Sequence, residues 1–294
     1  MDFLHEYTKD GLHLPGFHWH PDHKTTCIIN IHGILDHILE NYIAEDLGKA
    51  CIENGYGFLF GHNRGYGTIN DISTNIVDKN GDIQTKKFGT TFDVFEDCVY
   101  DIQLWIDTAK KLGYKNIILM GHSMGCHKVI YYLSKHKVKE LKGVILVSPP
   151  DFASMEKVDS NYKNMLNEAQ NNIANGHPEK LLSSLVWGFL HLSSGAFCNF
   201  FKNENLSETL PIIENPQVFK QLSNINVPIL ATMGSNDNII ICSAKEHLRL
   251  LKSKATGCTN FSYKIINGAN HRYMNKGIEL ANKIINWAEK IKSK

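Results

Sequence analysis

Asn116-Ile117-Ile118-Leu119-Met120 runs directly into Gly121-His122-Ser123-Met124-Gly125 and then into a helical pattern over Cys126–Ser134. An apolar run of strand length, a G-x-S-x-G turn and a helix in immediate succession predict a sharp strand–turn–helix. The reason is steric. Glycine on both flanks lets strand and helix approach closely, and the serine between them sits in strained backbone. Ser123 is thereby lifted above the C-terminal edge of the sheet. The Met124 N–H and the helix N-terminus face any negative charge that develops beside it.

Outward from this turn, short apolar runs alternate with amphipathic stretches. Cys27–Ile31, Gly57–Phe60, Asn116–Met120, Gly143–Val147, Pro228–Met233 and Phe261–Ile266 read as buried strands, because continuous apolar character suits a strand covered on both faces. A helix is predicted over Phe92–Lys111, opened by a Thr90/Asp93 capping box, and a final one over Gly277–Ile291. The fold class is α/β, a mostly parallel sheet with helices on both faces. Tyr7–Trp19, turning at Asp10-Gly11, reads as an antiparallel hairpin added at one edge. Asn63–Gly89 reads as a polar surface loop with a small hairpin near Asn80-Gly81. Residues 151–226 lack any strand signal and are too long for a simple connection. They hold helical patterns at Tyr162–Ala174 and Leu181–Leu192 and turn residues Gly176, Pro178, Pro211 and Pro216. The predicted division is a core of residues 1–150 and 227–294 with an inserted helical cap, residues 151–226.

A nucleophilic serine needs a base and the base needs an acid. His271 lies in the loop Asn267–Arg272, between the last strand and the last helix, at the same sheet edge as Ser123. Asp237, in Gly234-Ser235-Asn236-Asp237, follows the preceding strand and can accept from the imidazole Nδ1–H. Asp151 is the rival acid, its other role being a cap that opens the insertion. An oxyanion hole needs two N–H donors. Ile31-His32-Gly33-Ile34 closes the first long buried strand, so the Ile34 N–H is the expected partner of the Met124 N–H, with His32 hydrogen-bonding the loop.

Ile31-His32-Gly33, Asn63-Arg64-Gly65, Gly121–Gly125, Gly234–Asp237 and Asn270-His271 occur in the order found in the α/β-hydrolase superfamily. The chain resembles it over nearly its whole length, and most of all its capped serine esterase, lipase and acylaminopeptidase-like branch. Phe95-Glu96-Asp97 with Gly121–Cys126 and Tyr131-Tyr132-Leu133-Ser134 is also similar to a family that includes fungal siderophore-ester hydrolases. The chain departs from the usual pattern at Asn63, where Asp is commoner before Arg-Gly. The resemblance implies catalytic roles for Ser123, His271 and Asp237, oxyanion-hole roles for Ile34 and Met124, and no cofactor or metal. The expected activity is cleavage of a carboxylic ester through an acyl-enzyme. A thioesterase or small-amide hydrolase would use the same triad, and a non-catalytic ligand-binding scaffold is the reading outside enzymes.

Composition narrows the setting. The 31 Lys+Arg against 30 Asp+Glu leave a net charge of +1, which gives no sign of nucleic acid or an anionic membrane as partner. The N-terminus lacks a signal-peptide pattern, and no apolar run spans a bilayer. The seven cysteines show no CxxC spacing and suit reduced thiols in the cytoplasm. Cys126 reads as a small buried thiol. His18 and His20 share a strand face near His23, which suits exposed edge residues better than a metal site. Arg64 reads as a brace for loop carbonyls rather than a site for a substrate carboxylate. Trp187, Phe189 and Phe197 are the candidate substrate-contacting residues, as an apolar wall contributed by the cap.

Overall fold

Eight strands form one sheet in the order β1-β2-β4-β3-β7-β8-β9-β10 in the computed structural model, which describes residues 1–23, 25–152, 154, 159–202, 204–210, 212 and 219–292. The strands are β1 (Asp2–Tyr7), β2 (His13–Trp19), β3 (Thr26–Ile31), β4 (Tyr56–Gly61), β7 (Asn116–His122), β8 (Leu141–Val147), β9 (Ile229–Gly234) and β10 (Phe261–Ile266). β1 pairs antiparallel with β2, and β2 antiparallel with β4; every later pairing in the sheet is parallel. The six buried strands read from the sequence are all present. The last, Phe261–Ile266, keeps its bounds, and the other five shift by one or two residues at an end.

Side chains of alternate strand residues feed two separate cores, as a sheet covered on both faces requires. Ile29, Leu119 and Leu146 pack on one side with α2 (Cys98–Lys111), α3 (Met124–Lys135) and α8 (Ala244–Lys254). Ile28, Ile118 and Ile145 pack on the other with α1 (Ala44–Glu53) and α9 (Gly277–Lys292).

The edge hairpin is longer than the sequence suggested. It spans β1 and β2 and turns at Thr8–Leu12, with Gly11 at φ +88. The segment after β4 contains the hairpin β5 (Asn70–Val77) and β6 (Ile83–Phe88), turning around Asn80-Gly81 as read.

The helix expected over Phe92–Lys111 starts only at Cys98, after two short 3-10 turns, Thr90–Phe92 and Phe95–Asp97. The Thr90/Asp93 capping box does not form, because both side chains have stronger employment. The Thr90 hydroxyl donates to Gly65 O and accepts from Leu35 N–H, and Asp93 takes the Lys128 ammonium at 2.8 Å. A true capping box opens α8 instead, between Ser243 and Glu246.

Between β8 and β9 the described residues form α4 (Tyr162–Ala174), α5 (Ser194–Lys202), α6 (Glu204–Ser207) and α7 (Lys220–Ser223). The helix expected over Leu181–Leu192 is absent. Trp187 and Gly188 adopt left-handed backbone, φ +52 and +76, which reverses the chain. Leu182, Val186, Leu190 and Leu192 are still buried, but from a turn closed by the bridges Val186–Leu190 and Leu181–Ser193. Pro211 and Pro216 lie outside the described residues.

Candidate active site

Ser123 occupies the turn between β7 and α3 with φ +55 and ψ −126. Glycine is obligatory around it. A Cβ on Gly121 would lie 2.4 Å from Gly125 O, and one on Gly125 would lie 2.0 Å from Ile31 O. Strand, turn and helix therefore touch backbone to backbone, and the serine is forced out from their junction. Ser123 N–H donates to Val147 O at 2.9 Å, which ties the turn to β8.

Parallel pairing from β7 to β10 puts the ends of β7, β9 and β10 along one edge. The loop after β10 carries His271, and the turn after β9 carries Asp237. His271 Nε2 is 2.9 Å from Ser123 Oγ, and His271 Nδ1 is 3.0 and 3.1 Å from the two Asp237 carboxylate oxygens. A carboxylate only accepts, so Nδ1–H donates to Asp237 and Nε2 is left to accept the Ser123 proton. Burial works against the Asp237 charge, but the His271 hydrogen bond and charge outweigh it, and the carboxyl pKa falls below its ordinary value. Asp151 lines the same cleft, and its oxygens take the Ser154 N–H at 3.2 Å and the Ser154 hydroxyl at 2.7 Å, as in the capping role that was its alternative.

Gly33 lies against the serine, since a Cβ there would be 2.7 Å from Ser123 Cβ. The next residue, Ile34, lines the cleft with Ser123. Met124 is the first residue of α3, where a helix leaves its N–H groups without intrahelical acceptors. His32 is fully buried. Its Nδ1–H donates to Gly33 O at 2.9 Å and its Nε2 accepts from Asn63 N–H at 2.8 Å, while burial pulls its pKa down to about 4. It is a neutral ring that fixes the loop.

The cleft above Ser123 has a volume of about 860 Å³. Trp187 and Phe189 line it; Phe197 does not. Phe197 is fully buried in α5, packed on Tyr162 and Phe201. Sequence reading missed Leu185 and the run Ile239-Ile240-Ile241, which also line the cleft. Three consecutive isoleucines just after Asp237 were a legible signal. Asp36, Glu40 and Arg272 line it too, and no pattern in the sequence marked them.

The remaining candidates sit away from the cleft. Arg64 is buried and pairs with Asp10, Asp97 and Asp101 at 2.9, 3.3 and 2.9 Å, so it braces carboxylates rather than the carbonyls expected. His18 is buried, not exposed, with its Nε2 2.8 Å from the Tyr114 hydroxyl. Among the described residues, no group of three or more His, Cys, Asp or Glu is placed to hold a metal ion. Nor is any helix among them long and apolar enough to cross a membrane. All seven cysteines are free thiols, and Cys126 is buried with its Sγ against Gly121 O and Val147 O.

The family model for the alpha/beta hydrolase fold matches residues 26–186. No curated protein sequence matches the chain. Among solved structures, Est1E from Butyrivibrio proteoclasticus with bound ferulic acid is similar at 17% identity and a TM-score of 0.67, over 99% of this chain and 100% of that one. The Pyrococcus furiosus esterase Pf2001 is similar at 17% identity and a TM-score of 0.61, over 98% and 90%. A monoacylglycerol lipase from Paleococcus ferrophilus is similar at 18% identity and a TM-score of 0.61, over 95% and 99%. At these identities the likeness is one of fold.

Proposed function

The chain belongs to the alpha/beta hydrolase fold family, and from that premise we propose that it is a serine hydrolase that cleaves a carboxylic ester through an acyl-enzyme. The observation that carries this reading is the continuous hydrogen-bonded series Ser123–His271–Asp237 at the floor of an open cleft.

The chemistry follows from that series. His271 Nε2 takes the Ser123 proton as Oγ attacks the ester carbonyl. Asp237 holds the tautomer and stabilises the imidazolium. The Ile34 and Met124 N–H groups receive the oxyanion. The alcohol departs with the His271 proton, and water then attacks the acyl-serine by the same route. Such a cycle needs no metal or organic cofactor.

Residues 151–226 act as the cap over this cleft. Trp187, Phe189 and Leu185 come from that segment and line the cleft together with Ile239–Ile241 of the core. An apolar wall beside the charged Asp36, Glu40, Asp159 and Arg272 suits a small-molecule ester with a bulky apolar half. The protein works in the cytoplasm, in keeping with its free thiols.

Matched p-nitrophenyl ester, thioester and aminoacyl-anilide substrates test the assignment, with the wild type beside Ser123→Ala. Ester turnover in the wild type alone supports it. Preference for the thioester or the anilide moves the leaving-group assignment, and equal turnover by both proteins removes it.

A further inference from the structure

His122, the residue before Ser123, takes no part in the proton transfer described above, yet its ring reaches the main chain of the base. It is the last residue of β7, pairs with Val147 of β8, and is buried. Its Nε2 is 3.0 Å from His271 O, a contact across 149 positions of the chain. A carbonyl oxygen only accepts, so Nε2 carries a proton and donates it. The two imidazole rings meet at 36° with centroids 5.3 Å apart. Nδ1 stands 3.8 Å from Asp36 Oδ2, beyond hydrogen-bond reach. The Asp36 oxygens are taken by the His37 N–H at 2.9 Å and the Asn41 amide at 2.8 Å.

The two histidines are mounted differently. His122 sits in a strand ladder, whereas His271 sits in the loop after β10. A strand places a side chain more precisely than a loop does. The loop has ties of its own. Asn236 N–H donates to Ala269 O at 2.9 Å, and Tyr273 N–H donates to Asn270 O at 3.1 Å. The first runs to the turn of the acid and the second stays within the loop. The His122 bond runs to the strand that presents the nucleophile. The Ser123–His271 hydrogen bond cannot serve that purpose through a whole turnover. Once Oγ is esterified it has no proton to give, and His271 must hold the attacking water instead. The bond from His122 uses no reacting atom and persists through both halves of the cycle.

We propose that His122 is a positioning residue: its Nε2–H holds the His271 backbone where the base meets Ser123 Oγ and, in the acyl-enzyme, the attacking water. The proposal rests on the triad reading above. A general base acts within hydrogen-bond reach of the proton it takes, and a displacement of about 1 Å can cost on the order of a hundredfold in rate. The variable position of G-x-S-x-G thus carries a spacer between nucleophile and base, built into the turn that exposes the serine.

His122→Phe keeps an aromatic ring and removes the N–H, whereas His122→Gln keeps an amide N–H at the reach of Nε2. The positioning role predicts kcat on a p-nitrophenyl ester lower by on the order of tenfold to a hundredfold in His122→Phe, with KM within about twofold. His122→Gln recovers most of the loss. The low-field His271 Nδ1–H proton resonance moves or broadens in His122→Phe and stays in place in His122→Gln. A ring that merely packs predicts the opposite order, because phenylalanine fills the space better than glutamine. Wild-type kcat in a folded His122→Phe, or equal losses in the two variants, overturns the proposal. If His122→Phe does not fold, His122→Asn, whose amide stops at the reach of Nδ1, replaces it with the same expectation. If the wild type turns over no ester, the serine-hydrolase reading fails first. The His271 resonance then decides the positioning role alone, and a resonance unmoved by loss of the N–H overturns it.

Discussion

His271 Nε2 stands 2.9 Å from Ser123 Oγ across 148 positions of the chain. The sheet brings them together. In the sheet order β8 and β9 stand between β7, which presents Ser123, and β10, which presents the His271 loop, and the turn after β9 supplies the acid. Replacing that acid, Asp237→Asn, leaves the shape intact and favours the wrong imidazole tautomer. The expected loss in kcat is about 10⁴-fold, by analogy with triads in which this change has been made. Asp151→Asn is expected to change kcat far less, since its carboxylate serves Ser154. Steady-state kinetics on a p-nitrophenyl ester separates the two, and a larger loss for Asp151→Asn would reassign the acid.

Phe189 and Phe197 make an opposed pair. Phe189 is 57% exposed and lines the cleft, whereas Phe197 is fully buried in α5. Phe189→Ala is therefore expected to raise KM for an ester with a bulky apolar half at nearly constant kcat. Phe197→Ala is expected to cost about 3–5 kcal/mol of stability and to leave KM in place. Thermal melts beside KM values check both; a KM change for Phe197→Ala with unchanged stability would contradict the placement.

Lys128, in the helix that follows Ser123, and Asp93 form an ion pair 2.8 Å long with both side chains buried. Lys128→Met strands the carboxylate and is expected to destabilise the fold by about 3–5 kcal/mol. Adding Asp93→Leu removes the uncompensated charge and is expected to recover much of that loss. Urea titration of the single and double variants is the measurement, and a double variant no more stable than the single one would contradict it.

Burial depresses the pKa of four histidines, to about 4 for His32, His127 and His247 and about 3 for His62. The unfolded chain holds its histidine protons from about pH 6.5 downward, while the folded one refuses them until pH 3–4. The unfolded state thus binds more protons in that window, and stability falls as pH falls through it. Each histidine contributes up to about 1.4 kcal/mol per pH unit. Denaturation at pH 7 and pH 5.5 is expected to differ by roughly 5 kcal/mol, and equal values would show that these rings are not buried neutral.

The sheet was readable because a two-faced parallel strand must be a continuous apolar run, and six such runs were present. The catalytic turn was readable because backbone contact leaves only glycine at 121 and 125. The spurious helix over Leu181–Leu192 has a different cause. Leucines at helical spacing also fill a compact turn, and only the left-handed Trp187-Gly188 pair distinguishes the two. Thr90 and Asp93 match a capping box by spacing alone; their actual partners, Leu35, Gly65 and Lys128, are distant in sequence and visible only once the chain has folded.

The central claim is that Ser123 is an activated, accessible nucleophile. Labelling with a fluorophosphonate probe, wild type beside Ser123→Ala, with the adduct mapped by peptide mass, tests it most directly. The account predicts stoichiometric modification of Ser123 in the wild type and none in the folded variant. An unlabelled wild type, or an adduct formed equally in Ser123→Ala, would contradict it.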